Sequence, residues 1–332
     1  MWHIFLKVID NYGDMAIAFR LASGLQDYGQ KVTLFIEKKK DIEPILKLQP
    51  NINFDIKSFK EAATLNETAT NIISVFDISL PAEYLDNIRH PTNLFIYEYL
   101  SAESWVNDFH MKSSLTNNSL INKRYFYPGF NIKTGGLLRE RYYSNQENIY
   151  SIKGKEKNSV FKASFFYYSH RLFESIKLVK KLKSDFRAFI LTELIGFDDL
   201  KNEPWVEGFK MMAFKDYDRL LQSSSINFVR GEDSLTRAVL SGRPFIWQPY
   251  VQENNQHFLK LEAFINYFFS SLDESVYLIV RLVYLDWAHG LIKENNFSNY
   301  LNRFDEITSY HEKKSKHYLA TKNVFENLIN DC

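Results

Sequence analysis

The sequence predicts an α/β protein built from two domains of similar size with a cleft between them. Three observations point there. The chain opens on an apolar strand, a turn and a helix with a buried stripe. A second series of strands and helices follows a polar interval. The length of 332 residues also exceeds what one core usually supports, since single cores stop growing at about 250–300 residues.

Trp2 to Ile9 reads as a strand that is apolar on both faces, as in a covered parallel sheet. Asp10-Asn11-Tyr12-Gly13-Asp14 is turn chemistry. Ala16 to Tyr28 is expected as a helix, with Ile17, Leu21 and Leu25 recurring every four residues and Gly29 as its stop. Lys31 to Glu37 is the next strand, which completes a βαβ unit and implies a parallel sheet. Further strands are expected at 72–76 and 93–97. Ser144 to Ser159 turns polar and is the linker candidate, so the domains are expected at 1–150 and 151–332, with the last helices able to pack back on the first. Beyond it come a strand over 160–168, a helix over 172–182, a strand over 186–191 and a helix over 217–222. A buried strand at 226–229, a helix at 235–240 and a mainly helical stretch from about Asn254 complete the chain.

Composition excludes several classes. The 41 basic and 40 acidic side chains leave a net charge of +1, without the basic excess of a nucleic-acid or anionic-membrane binder. Cys332 is the single cysteine, which excludes an internal disulfide framework and cysteine zinc sites. The segment Val276–Leu285 is the most apolar, yet Arg281 and Asp286 punctuate it, and no apolar run reaches membrane-spanning length. Met1-Trp2-His3-Ile4-Phe5-Leu6 lacks the basic head of a signal peptide, so a cytoplasmic location is expected. Aromatic residues make up 16 % of the chain, which predicts ring-rich cores.

Two places carry candidate chemistry. After the first strand, Asp10 and Asp14 stand where α/β proteins bind ligands, but the glycine-rich phosphate cradle is absent. Two carboxylates repel a phosphate and suit a cationic or proton-bearing partner. The plain alternative is that Asp10, Asn11 or Asp14 caps the helix. The second place is Arg230-Gly231-Glu232-Asp233-Ser234 after the 226–229 strand. The Arg230 guanidinium and the N–H groups of a helix start form a diphosphate clamp. Glu232 does not suit an anion, which points to another task such as gripping sugar hydroxyls. Here the alternative is an Arg230–Glu232 surface pair around a helix capped by Asp233 or Ser234. Tyr250 and Gln252 follow the next strand as site or plain loop residues, and His257 reads as structural.

These strings resemble a known family when taken in order. Residues 228–234, Arg237-Ala238 and Gly242-Arg243-Pro244-Phe245-Ile246-Trp247 are similar to the hallmark of the elongation factor P arginine rhamnosyltransferases, the EarP family. Residues 8–14 with Arg20-Leu21-Ala22 resemble its first strand and turn. So do Tyr99-Leu100-Ser101-Ala102-Glu103 with Trp105 and His110, residues 127–130 with 134–140, and residues 216–221. The resemblance implies a GT-B fold, two Rossmann-like domains facing a central cleft. It implies inverting transfer of L-rhamnose from dTDP-β-L-rhamnose to an arginine of elongation factor P; with Arg230 and the helix start stabilising the departing dTDP, no metal is expected. By position, Asp10 and Asp14 match the family's two N-terminal functional aspartates, with Asn11 and Gly13 beside them on the acceptor side. Glu232 matches its essential glutamate. Arg230, Gly231, Asp233 and Ser234 lie in the donor loop, and Tyr167, Tyr217, Tyr250 and Gln252 fall at donor contacts. The resemblance also makes Asp14 the expected general base and Asp10 the acceptor-orienting carboxylate.

The chain departs from the family pattern at Met211–Lys215, at Pro249-Tyr250-Val251 and at Tyr168-Ser169, where glutamate and asparagine are usual. Other readings are a GT-B transferase using another nucleotide sugar on a lipid or small-molecule acceptor, and a non-catalytic protein that binds elongation factor P.

Overall fold

The computed structural model describes residues 1–8, 11–49, 52–145, 160–168, 172–251 and 253–332. Asp10, Gln252 and most of the expected linker lie outside the described residues. The chain divides into two compact units, one of residues 1–145 with 321–332 and one of residues 146–320.

Unit 1 contains β1 (Trp2–Leu6), α1 (Asn11–Asp27), β2 (Val32–Ile36), α2 (Glu43–Leu48), β3 (Asp55–Ser58) and α3 (Phe59–Ala63). It continues through β4 (Asn71–Val75), α4 (Ala82–Asp86), β5 (Thr92–Tyr97), α5 (Val106–Phe109), β6 (Ser113–Ser114) and β7 (Ile121–Phe126). Its sheet runs β3-β2-β1-β4-β5-β7-β6, parallel throughout except for the β6–β7 pair at one edge. All five residues of β1 are buried, as a central strand covered on both faces requires. Phe5 stacks on Phe35 with centroids 4.8 Å apart, and Tyr84 meets both rings.

Unit 2 contains β8 (Phe161–Phe165), α6 (Leu172–Leu182), β9 (Phe186–Leu191), β10 (Val206–Phe209), α7 (Phe214–Ser223), β11 (Ile226–Arg230), α8 (Gly231–Ser241) and β12 (Phe245–Gln248). Then come α9 (Gln256–Phe268), α10 (Glu274–Ala288), α11 (Glu294–Asn302) and α12 (Phe304–Ala320). Its sheet is parallel throughout, in the order β10-β9-β8-β11-β12. Phe165 and Phe228 stack at 4.6 Å on adjacent strands, and Trp287 of α10 closes over them. No helix among the described residues is long and apolar enough to cross a membrane.

The last helix, α13 (Val324–Asn330), belongs to unit 1. Asn323 and Glu326 form its capping box, Val324 N–H donates to the Leu137 carbonyl at 3.1 Å, and Asn323 Nδ2 donates to the Tyr28 hydroxyl. Phe325 lies so close to α1 that a Cβ on Gly24 would stand 2.0 Å from its ring. Gly24→Ala is therefore expected to dislodge α13 and destabilise unit 1 by about 1–3 kcal/mol, measured as a lowered denaturant midpoint.

The observed elements differ from the expected ones at several places. The strand expected over 2–9 ends at Leu6, the helix expected over 217–222 begins at Phe214, and the short helices α2 to α5 were not expected. The helix expected over 16–28 begins at Asn11, because polar residues with an acidic side chain suit a helix's first turn as well as they suit a free turn. The helix expected over 235–240 begins at Gly231 for the same reason. Strands β3, β6, β7 and β10 were not expected. Of these, β3, β6 and β10 are short edge strands, where sequence need not show an apolar run, and β7 (INKRYF) carries polar residues.

Candidate active site

Each sheet has one point where strand order reverses. In unit 2 it lies between β8 and β11, because β8 leads outward to β9 and β10 while β11 leads to β12. Ligands of open parallel sheets bind outside the carboxyl ends of the strands at such a point. The residues found there are Phe166 to Tyr168 after β8 and Arg230 to Ser234 after β11.

Arg230 ends β11 and occupies the N-cap position of α8 with extended backbone and no side-chain cap. Its Nη1 donates to the Tyr167 carbonyl at 2.7 Å. Its guanidinium carbon lies 4.2 Å from the Phe166 ring centre and 4.5 Å from that of Tyr168. Gly231 has φ +68°, a conformation that favours glycine, and its carbonyl accepts from Trp247 Nε1 at 2.8 Å. The chain can thus turn from strand into helix within one residue, with Arg230 held at the turn.

The neighbouring side chains take partners that sequence alone did not indicate. Glu232 pairs with Lys260 of α9, not with Arg230, and both side chains are largely buried. Asp233 accepts from Arg237 Nε at 3.1 Å. Arg237 is fully buried and also grips both carboxylate oxygens of Asp218 at 2.9 and 3.0 Å. Neither Asp233 nor Ser234 caps α8, because the helix has already begun before them.

Of the expected donor tyrosines, Tyr167 is buried, with its hydroxyl on the Ile195 carbonyl at 3.2 Å and its ring edge-on to Trp287. Burial, reinforced by the Asp199 charge, pushes that hydroxyl up to about 12. The structure therefore brings the Tyr167 carbonyl, not its ring, to Arg230. The Tyr217 hydroxyl is buried beside Ser234, and burial raises its pKa far above the usual tyrosine value. Tyr250 is 55 % exposed beyond β12 and stands edge-on to Tyr168, with centroids 5.6 Å apart. His257 is buried on α9 against Phe258.

In unit 1 the order reverses between β1 and β4. Asn11, Gly13 and Asp14 follow β1 in the first turn of α1, and Asp14 is only 5 % exposed. Standing three residues inside the helix, Asp14 cannot be its cap, which removes that alternative for this residue. The free N–H groups of a helix start favour a carboxylate there. The α1 helix is tied down by Arg20, fully buried, which donates through Nε and Nη2 to Glu140 at 2.6 and 2.8 Å and through Nη2 to the Leu138 carbonyl at 2.6 Å. After β4, Phe76 and Asp77 both adopt positive φ, and Phe76 stacks on Tyr99 at 4.1 Å.

Phe166, Tyr168, Trp247 and Lys260 were not expected at the site. A period-two signal was available for two of them: with Tyr167 turned inward, 166 and 168 share the opposite side of the extended chain.

The family described as elongation factor P (EF-P) rhamnosyltransferase EarP matches residues 2–175 and 198–332. A protein-arginine rhamnosyltransferase of Pseudomonas aeruginosa is 30% identical, with 87% of each chain covered. One from Neisseria meningitidis is 29% identical over 79% of this chain and 77% of its own. A solved structure from work on EarP-mediated arginine glycosylation of translation elongation factor EF-P has a TM-score of 0.66 at 19% identity, covering 99% of this chain and 97% of that one. MurG of Acinetobacter baumannii, at 10% identity, has a TM-score of 0.57 and covers 99% and 98%. The two parallel sheets are those of the GT-B glycosyltransferases. With the match running through both units and through the β1–α1 and β11–α8 turns alike, the chain belongs to the EarP family of EF-P rhamnosyltransferases.

Proposed function

We propose that this chain transfers L-rhamnose from dTDP-β-L-rhamnose to one arginine side chain of EF-P, with inversion at the anomeric carbon. The observation that carries the reading is the family match across both units. The reaction takes place in the cytoplasm, where a translation factor is available as acceptor.

The chemical difficulty is the acceptor. A guanidinium stays protonated and delocalised at neutral pH, so its nitrogen is a weak nucleophile. Carboxylates answer both problems: Asp10 clamps and orients the fork, and Asp14 takes the proton as the new C–N bond forms. Asn11 and Gly13 supply backbone beside them. On the donor side the bond from the anomeric carbon to the diphosphate oxygen breaks, and its electron pair leaves with dTDP. Arg230 and the N–H groups at the start of α8, around Gly231, Asp233 and Ser234, stabilise the charge that develops there. Glu232 accepts from sugar hydroxyls, and its pairing with Lys260 offsets a charge that would oppose the diphosphate. Tyr217, Tyr250 and Gln252 complete the donor contacts, together with the backbone at Tyr167. No metal takes part, since Arg230 supplies the countercharge.

Incubating the chain with dTDP-rhamnose and EF-P tests this directly. The expected product is EF-P heavier by one deoxyhexose on a single arginine. Unmodified EF-P alongside glycosylation of another acceptor would overturn the assignment. Turnover is expected to survive a chelator; loss that a divalent ion restores would refute the metal-free mechanism.

A further inference from the structure

We infer that Tyr168, together with Phe166, is a positioning residue for the donor: the two rings hold the Arg230 guanidinium in place before the diphosphate arrives. The inference rests on the reading that Arg230 grips that diphosphate.

The end of β8 alternates. Tyr167 turns into the core, while Phe166 and Tyr168 stand at 4.2 and 4.5 Å from the Arg230 guanidinium carbon. The Tyr167 carbonyl lies between them in sequence and accepts from Nη1. Rings attract a cation through their negative faces, and the attraction is greatest where water is excluded. An arginine side chain loses much rotamer freedom when it grips an anion, and a guanidinium already held loses less.

Tyr168 is itself placed from two sides. Its N–H donates to Gln248 Oε1 at 2.8 Å, at the end of β12, and Tyr250 packs edge-on against its ring. Its hydroxyl also occupies the space above Gly231, 3.1 Å from where a Cβ would stand. One tyrosine thus touches both Arg230 and the glycine that lets the chain turn into α8. A glutamate at this position would pair with Arg230 as a charge, whereas a tyrosine ring holds the guanidinium without neutralising it.

The test is dTDP affinity by calorimetry and donor KM and kcat by single-arginine glycosylation of EF-P. Tyr168→Leu is expected to raise the dTDP Kd and the donor KM about tenfold, with kcat changed less than about twofold. Tyr168→Phe, which keeps the ring, is expected to stay within about twofold of the unsubstituted chain, and Phe166→Leu to repeat the Tyr168→Leu loss. In an Arg230→Gln background, Tyr168→Leu should cost nothing further, because its effect passes through Arg230. An unchanged Kd in both ring variants overturns the inference. So does a loss that adds in full to that of Arg230→Gln, which would mean that Tyr168 contacts the nucleotide itself. If Arg230→Gln binds dTDP normally, the donor reading fails first and the inference with it.

Discussion

Asp14→Asn is expected to lower rhamnosyl transfer by about a thousandfold while leaving dTDP affinity nearly unchanged. The side chains are isosteric, so the buried position in the first turn of α1 is kept and only the basicity of the carboxylate is lost. An arginine nitrogen cannot form a C–N bond without shedding a proton, and a positioned base contributes about 10²–10⁴-fold to such a step. Steady-state transfer to EF-P and calorimetric titration with dTDP separate the two effects. Normal turnover in Asp14→Asn would remove this residue as the base. A parallel collapse of dTDP binding would show instead a general loss of structure.

The second large effect concerns stability. Replacing Arg20 by Met is expected to destabilise unit 1 by about 3–5 kcal/mol, because it takes a bidentate cationic partner away from the buried Glu140. Arg20 is wholly enclosed and Glu140 nearly so, and the pair is bidentate, with the Leu138 carbonyl as a third acceptor. Removing both charges in Arg20→Met with Glu140→Met should recover much of the loss, since the desolvation cost disappears with them. Chemical denaturation of the single and double variants measures this, and additive losses would contradict it. Arg20 lies on the same helix as Asp14, so Arg20→Met is also expected to reduce transfer in molecules that remain folded.

Several elements are legible without coordinates because their signals are local. The expected helix over 172–182 and strand over 186–191 match α6 and β9 end to end, since a long amphipathic repeat and a bounded apolar run each carry their own period. Starts of α1 and α8 are less legible. Asn11, Gly13 and Gly231 read as turn formers, and whether such residues open a helix depends on the strand they follow and the sheet they cover.

For the site, the ordered strings around Asp14 and Arg230–Ser234 identify the family from sequence by itself, as do the alternating strands and helices for the fold. Which partner each side chain takes is another matter. Arg230 and Glu232 look like a pair when two residues apart are all one sees. In the folded chain Arg230 goes to Tyr167 and its flanking rings, 63 residues upstream, and Glu232 goes to Lys260, 28 residues downstream. Likewise Phe325 reaches Gly24 across nearly the whole chain. Periodicity is written into neighbouring residues, whereas these pairings depend on sheet order and helix packing. Only the tertiary structure brings such distant positions to one strand end and decides what each charge meets there.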